Sequence, residues 1–298
     1  MPNTTQLKKQ SPKKYRRWLK IAGIGIAAIP VLLYIAIIVF YIRNEHSIVY
    51  GPSSVMLPIA SEIAPSAENV NFQSRNGVTL SGLIIRSNKP TQTWIYYLHG
   101  NYGNISTCQD WLKAIHKLDV NVFAIDYRGY GRSPGMPSEP GLYEDAQDGY
   151  QFLTTKLGAE PGSVVIYGHS LGSAVAIDLA THVHPAGLIV EGAFRSIVAR
   201  GQELVPIIPV GLIAKDRFDS ESKIGAVSCP KLFLHARDDQ MVPIQHGRTL
   251  YADATPPKAF LEIYGGHQNA INQDQGEMLR AIRSFLDSTV RQTQSDSR

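Results

Sequence analysis

The sequence predicts a mostly parallel α/β sheet covered by helices on both faces, and three observations carry that prediction. Short apolar runs without polar alternation recur along the chain, as strands buried on both faces do. Helical patterns of about ten to fifteen residues separate several of them, which is the spacing of parallel crossovers. The third observation is residues 164–179, VVIYGHSLGSAVAIDL, where an apolar run enters Gly168-His169-Ser170-Leu171-Gly172 and leaves as a small-residue helix. Strand, G-x-S-x-G and helix in that order are the context of a nucleophile elbow. The turn there is so tight that its central residue takes a strained backbone, and the glycines let neighbouring chains approach. A chain of 298 residues is long enough for one such domain plus an appendage.

Taken in order, the chain opens on a basic tail, residues 1–20, with seven Lys and Arg and no acid. The rest holds 22 basic against 25 acidic residues, about −3, so the body has no electrostatic footprint for nucleic acid. Residues 21–42 carry no charge. As a helix they span ~33 Å, enough for a bilayer core. The run exceeds a signal-peptide core and no small-x-small site follows before Arg43, so an uncleaved signal anchor is expected. Charge bias puts the tail in the cytoplasm and everything beyond Arg43 on the other side of the membrane. Residues 43–68, with Pro52, Pro58 and Pro65, read as a tether without helical period.

From residue 69 to 290 the pattern is that of the sheet domain. Asn76-Gly77 between residues 70–72 and 78–80 marks a hairpin. Further strands are expected at residues 94–98, 120–125, 164–167, 188–190, 232–234 and 260–263. Helices are expected at 107–117, 143–157 and 278–290, the last with Leu279, Ile282, Phe285 and Leu286 on one face. Residues 291–298 read as a polar tail. Cys108 and Cys229 make no disulfide framework and read as small buried residues.

A serine is a poor nucleophile without a base and an oxyanion site. Of nine histidines, His267 follows the last strand in Tyr264-Gly265-Gly266-His267, where a glycine pair would let a loop bring the imidazole over the sheet edge to Ser170. His169 should point away from its neighbour Ser170 and pack, while His46, His116 and His246 read as solvated or tether positions. For the acid that orients the base, Asp239, its neighbour Asp238 and Glu191 at the end of the preceding strand are all placed suitably. The oxyanion needs two backbone N–H donors. Leu171, directly after the nucleophile, supplies one. The loop His99-Gly100-Asn101-Tyr102-Gly103-Asn104 supplies the other, at Asn101.

The stretches YYLHGNYGNI (96–105), DYRGYGRSPG (126–135), PSEPGLYEDA (137–146), YGHSLGSA (167–174), HARDDQMVP (235–243) and YGGHQN (264–269) together resemble the α/β-hydrolase fold. More narrowly, the chain is similar to membrane-anchored α/β-hydrolase-domain proteins, a group of depalmitoylases and lysophospholipid lipases. The resemblance implies Ser170 as nucleophile, Asp239 rather than Asp238 as acid, His267 as base, and Asn101 in the oxyanion loop, with no cofactor and no metal. Ser170, Asp239, His267 is also the chain order this fold uses. Ala236 stands where the family usually has glycine, and the spacing to the aspartate is kept.

Residues 194–229 form a short cap, with an apolar stretch at 204–213 broken by prolines. It packs on the core or lines an acyl pocket. The expected reaction is hydrolysis of a carboxylic ester or thioester through an acyl-enzyme. A domain facing outward cannot reach acylated proteins on the cytoplasmic face, which favours lipid, lysophospholipid or small acyl esters. The alternatives are a serine peptidase of the same fold and a non-catalytic anchored binding protein.

Overall fold

A computed structural model describes residues 12–296; the first eleven residues of the basic tail and the last two of the chain lie outside it. The chain divides into two units, residues 1–45 and 46–298. Helix α1, Pro12–Val49, contains an apolar window, Ala27–Val49, of mean hydropathy 1.9. By length and composition it can cross a membrane. The helix runs seven residues past the charge-free stretch, into what the sequence suggested was tether. No proline interrupts it between Pro30 and Pro52, so nothing local ends it sooner.

The second unit holds one sheet of eight strands: β1 Ala67–Gln73, β2 Thr79–Ile85, β3 Trp94–Leu98, β4 Asn121–Asp126, β5 Val164–His169, β6 Gly187–Glu191, β7 Lys231–Ala236 and β8 Lys258–Ile263. In space they run β8-β7-β6-β5-β3-β4-β2-β1. The hairpin β1–β2 and the pair β2–β4 are antiparallel, and every other pairing is parallel. Gly77 turns the hairpin at φ +76°, a conformation glycine adopts without strain. The α/β fold class expected from the sequence is the one observed.

Alternate side chains of each strand feed two cores. Trp94, Tyr96 and Leu98 of β3 face one side, with α3 (Glu139–Thr155), α4 (Leu171–Ala180), α7 (Glu221–Ile224) and α8 (Ile244–Asp253) contributing to the same core. Ile95 and Tyr97 face the other, closed by α2 (Gln109–His116), α9 (Gly266–Gln273) and α10 (Gln275–Asp296). Burying each such side chain contributes about 1.5–3 kcal/mol. The cap adds α5 (Ile197–Leu204) and α6 (Val210–Ile213). Helix α3 starts four residues before the apolar pattern does, because the Ser138 hydroxyl accepts from Gly141 N–H and Pro140 fits the first turn. Helix α10 continues to Asp296, so most of the expected polar tail is helical.

Candidate active site

The loops at the carboxyl ends of β3, β5, β6, β7 and β8 converge, which is where open α/β sheets present their chemistry. Ser170 sits between β5 and α4 at φ +54° and ψ −119°, a strained conformation for a residue with a Cβ. The turn is held by Ser170 N–H donating to Glu191 O at 2.8 Å. The Ser173 hydroxyl reaches Gly168 O and Glu191 O, at 2.8 and 2.9 Å. A Cβ at Gly172 would lie inside van der Waals contact with the Leu98 carbonyl, so α4 packs this closely on β3 only without one.

His267 Nε2 lies 2.8 Å from Ser170 Oγ and its Nδ1 lies 2.7 Å from Asp239 Oδ2, with all three side chains buried. The structure therefore brings together the serine, acid and histidine read from the sequence, and it chooses among the acids. Asp239 Oδ1 accepts from the N–H groups of Met241 and Val242 at 2.9 and 2.7 Å, leaving Oδ2 for the imidazole. Burial opposes ionisation of Asp239, but His267 and Val242 N–H outweigh it and hold the carboxyl below its usual range. Asp238 instead accepts from Gly265 and Gly266 N–H, at 3.1 and 3.0 Å, and so anchors the turn before His267. That turn has φ +120° and +63° at the two glycines and leads straight into α9. His267 thus stands on the first turn of a helix rather than in a loop, a firmer mounting for the ring.

Glu191 is turned away from the imidazole. Its Oε2 accepts from Trp111 Nε1–H and the Tyr167 hydroxyl at 2.8 and 2.6 Å, and Oε1 is buried with no partner among the described residues. Burial pushes the carboxyl up from 4.5 to about 7, against the pull of those two donors. Between these values the folded protein keeps a proton that the unfolded chain has released, so this group makes stability fall as pH rises from about 4.5 to about 7. Glu191→Gln removes that slope. Relative to wild type it is expected to be more stable at pH 8 than at pH 5 by roughly 3 kcal/mol, read from denaturant midpoints at both pH values. An equal offset at both pH values would contradict this reading.

The oxyanion-loop candidates meet at the same place. Leu171 is the first residue of α4, where backbone N–H groups have no intrahelical acceptor. A Cβ built on Gly100 would stand 3.3 Å from Ser170 Cβ, so the 100–101 peptide lies against the nucleophile candidate. His99 Nδ1 is 2.7 Å from Gly100 O. Burial lowers the His99 ring to about 4, so the imidazole is neutral and carries its proton on Nδ1 to make this bond. In a trans peptide the N–H points opposite the C=O, so His99 aims the Asn101 N–H away from itself. The sequence reading missed this orienting role, although the His-Gly pair before Asn101 was its visible signal.

His169 packs as expected, but not idly. Its ring lies between Trp111 and His267, at centroid distances of 4.7 and 5.4 Å, and its Nε2 is 3.2 Å from His267 O. His116 and His246 are buried rather than solvated. His116 Nε2 is 2.9 Å from Arg86 O, and His246 bridges Glu203 of α5 and the Arg195 N–H. Both lie on helix faces whose polar partners come from distant segments, which a local pattern does not reveal. Helix α5 is also tied to the acid-bearing loop, since Arg200 Nε–H donates to Met241 O at 2.7 Å.

Comparisons with known proteins agree with this architecture. The chain is 32% identical over 270 residues to the uncharacterized protein Rv2307c of Mycobacterium tuberculosis, covering 90% of this chain and 96% of that one. It is 32% identical over 225 residues to the lysophosphatidylserine lipase ABHD12 of Macaca fascicularis, covering 64% of this chain and 55% of that one. The solved structure of the Pyrococcus furiosus esterase Pf2001 superposes with a TM-score of 0.68 at 17% identity, covering 81% of this chain and 98% of that chain. Residues 95–284, which hold all but the first residue of β3, the strands β4 to β8 and the whole Ser170–His267–Asp239 cluster, match the alpha/beta hydrolase family, and to that family the chain belongs.

Proposed function

We propose that this protein is a membrane-anchored serine hydrolase that cleaves carboxylic ester or thioester bonds of lipid, lysophospholipid or small acyl substrates through an acyl-enzyme. The observation that carries the reading is the chain of hydrogen-bond contacts from Asp239 through His267 to Ser170, at 2.7 and 2.8 Å. Ser170 Oγ attacks the acyl carbonyl as its proton passes to His267 Nε2. The oxyanion accepts hydrogen bonds from the Leu171 and Asn101 N–H groups. Asp239 keeps the imidazole proton on Nδ1 and stabilises the imidazolium. Collapse breaks the acyl–oxygen or acyl–sulfur bond, and His267 hands its proton to the leaving alcohol or thiol. Water then attacks the acyl-enzyme with His267 as base and releases the carboxylic acid. No step calls for a cofactor.

Helix α1 supports the anchor, with the basic tail on the cytoplasmic side and the hydrolase domain on the other. The lipase named above adds weight to a lipid substrate. So does the cap, where Leu204, Ile207 and Leu212 are exposed while Ile208 and Val210 are buried in the core. The apolar stretch thus packs Ile208 and Val210 inward and leaves Leu204, Ile207 and Leu212 on the surface, where an acyl chain could meet them. Replacing Ile207 and Leu212 together by serine is expected to reduce the preference for long over short acyl esters about tenfold, with the fold retained. An unchanged preference would remove the acyl pocket from the cap.

The test of the activity is covalent labelling of the detergent-solubilised full chain with a fluorophosphonate probe, followed by turnover of lysophospholipids and of esters of graded chain length. Stoichiometric labelling that competes with ester substrate is expected. A folded protein that neither labels nor turns over any ester would overturn the proposal.

A further inference from the structure

The segment that follows helix α1 is more than a tether. Asn101 Nδ2–H donates to Val49 O at 3.1 Å, and Gly51 N–H donates to Asn101 O at 2.9 Å. Gly51 and Pro52 pair in parallel with Tyr102 and Gly103, and Ser53 N–H continues to Gly103 O at 3.0 Å. Asn104 Nδ2 donates to the carbonyls of Ser53 and Val55 at 2.8 and 2.9 Å. Residues 49–55 therefore run along the whole loop that carries the Asn101 N–H. Tyr50 extends the connection to the cap. Its ring is buried and meets the edge of Phe218 at 6.2 Å, and its hydroxyl donates to Asp216 Oδ2 at 2.8 Å.

We infer that residues 49–55 are a clamp that positions the oxyanion loop, so that the stretch joining the membrane helix to the hydrolase domain completes the reaction centre. This rests on the proposed role of Asn101. The loop needs outside support: Gly100 and Gly103 flank its turn, Gly103 at φ +81°, and the Tyr102 side chain between them is three-quarters exposed. Packing does little to hold such a segment, so its hydrogen bonds decide where the N–H points. An oxyanion donor works only within a few tenths of an ångström of the right place. Asn101 O has two anchors, Gly51 N–H and the Tyr130 hydroxyl, each at 2.9 Å, so removing one loosens the peptide without freeing it. Seven residues separate Val49 from the end of the charge-free run at Ile42, at most ~25 Å of chain even fully extended.

The experiment uses the full chain in detergent. Gly51→Pro deletes the N–H that holds Asn101 O, and Tyr50→Phe deletes the bond to Asp216 while keeping the ring. Gly51→Ala is the conservative variant. It keeps the N–H, and its Cβ would meet Tyr102 Cδ2 at 3.1 Å, in a side chain three-quarters exposed with room to turn aside, and ordinary contacts beyond. For a short-chain ester, Gly51→Pro is expected to lower kcat about tenfold to a hundredfold with KM changed less than about twofold, and to slow fluorophosphonate labelling by the same factor. Gly51→Ala should recover kcat to within about threefold of wild type, and Tyr50→Phe should lower it about fivefold, again without a KM change. Wild-type kcat in both Gly51→Pro and Tyr50→Phe would overturn the inference, as would an equal loss in Gly51→Pro and Gly51→Ala, or a loss confined to KM. If Gly51→Pro does not fold, the kcat of Tyr50→Phe decides alone. A wild type that neither turns over ester nor labels would instead sink the hydrolase reading on which the clamp depends.

Discussion

Replacing Ser170 by alanine is expected to lower kcat/KM for ester hydrolysis by about 10⁴-fold or more, equivalent to about 5.5 kcal/mol of transition-state stabilisation, and to abolish fluorophosphonate labelling. The fold should be unaffected. The Ser170 hydroxyl has His267 Nε2 as its partner, and alanine keeps the Cβ at the same strained φ of +54°. Stability should therefore change by no more than about 1 kcal/mol, the typical worth of one hydrogen bond. The Leu171 and Asn101 N–H groups remain, so any residual rate reports what an oxyanion site achieves without a nucleophile. A variant that retained a tenth of the wild-type rate would mean that the reaction runs through another group.

The second large effect is expected at Asp239. Asparagine fits the site, because its carbonyl can still accept from the Met241 and Val242 N–H groups that hold Asp239 Oδ1. Its amide would then face His267 Nδ1 as a donor. The imidazole proton is then driven to Nε2, the atom that receives the proton of Ser170 in the proposed mechanism. Asp239→Asn should reduce kcat by about 10⁴-fold with little change in melting temperature. Glu191→Gln should stay within about threefold of wild type in kcat, since that carboxyl serves Trp111 and Tyr167 rather than the imidazole. Equal losses in the two variants, measured side by side as kcat on one ester, would reopen the assignment of the acid.

The elbow was legible in the sequence because its requirements are local. A strand buried on both faces needs an unbroken apolar run, the tight turn needs Gly168 and Gly172, and the helix begins at once with Leu171. The hairpin at Asn76-Gly77 and the order of strands and helices were legible for the same reason. Boundaries were less so. Helix α3 begins where Ser138 caps it and α1 continues to Val49, since a helix ends where hydrogen-bond partners or proline stop it rather than where the apolar pattern fades.

What the sequence by itself determined is the α/β sheet, the placement of Ser170 at a strand–helix turn, and the positions along the chain where a histidine and an acid could reach it. The tertiary structure alone decided which carboxylate faces the imidazole. By position along the chain Asp239, Asp238 and Glu191 are all suitable, and the motif resemblance favours Asp239 over Asp238; the directions of the side chains separate all three, toward His267, toward the glycine turn, and toward Trp111 and Tyr167. It also decided that the segment after α1 lies along the 99–104 loop, with Tyr50 bonded to Asp216 across 166 positions of sequence. Periodicity reports how a residue relates to its neighbours within a turn or two. Contacts between distant segments are set by how the packed layers bring their edges together, and no local pattern encodes them.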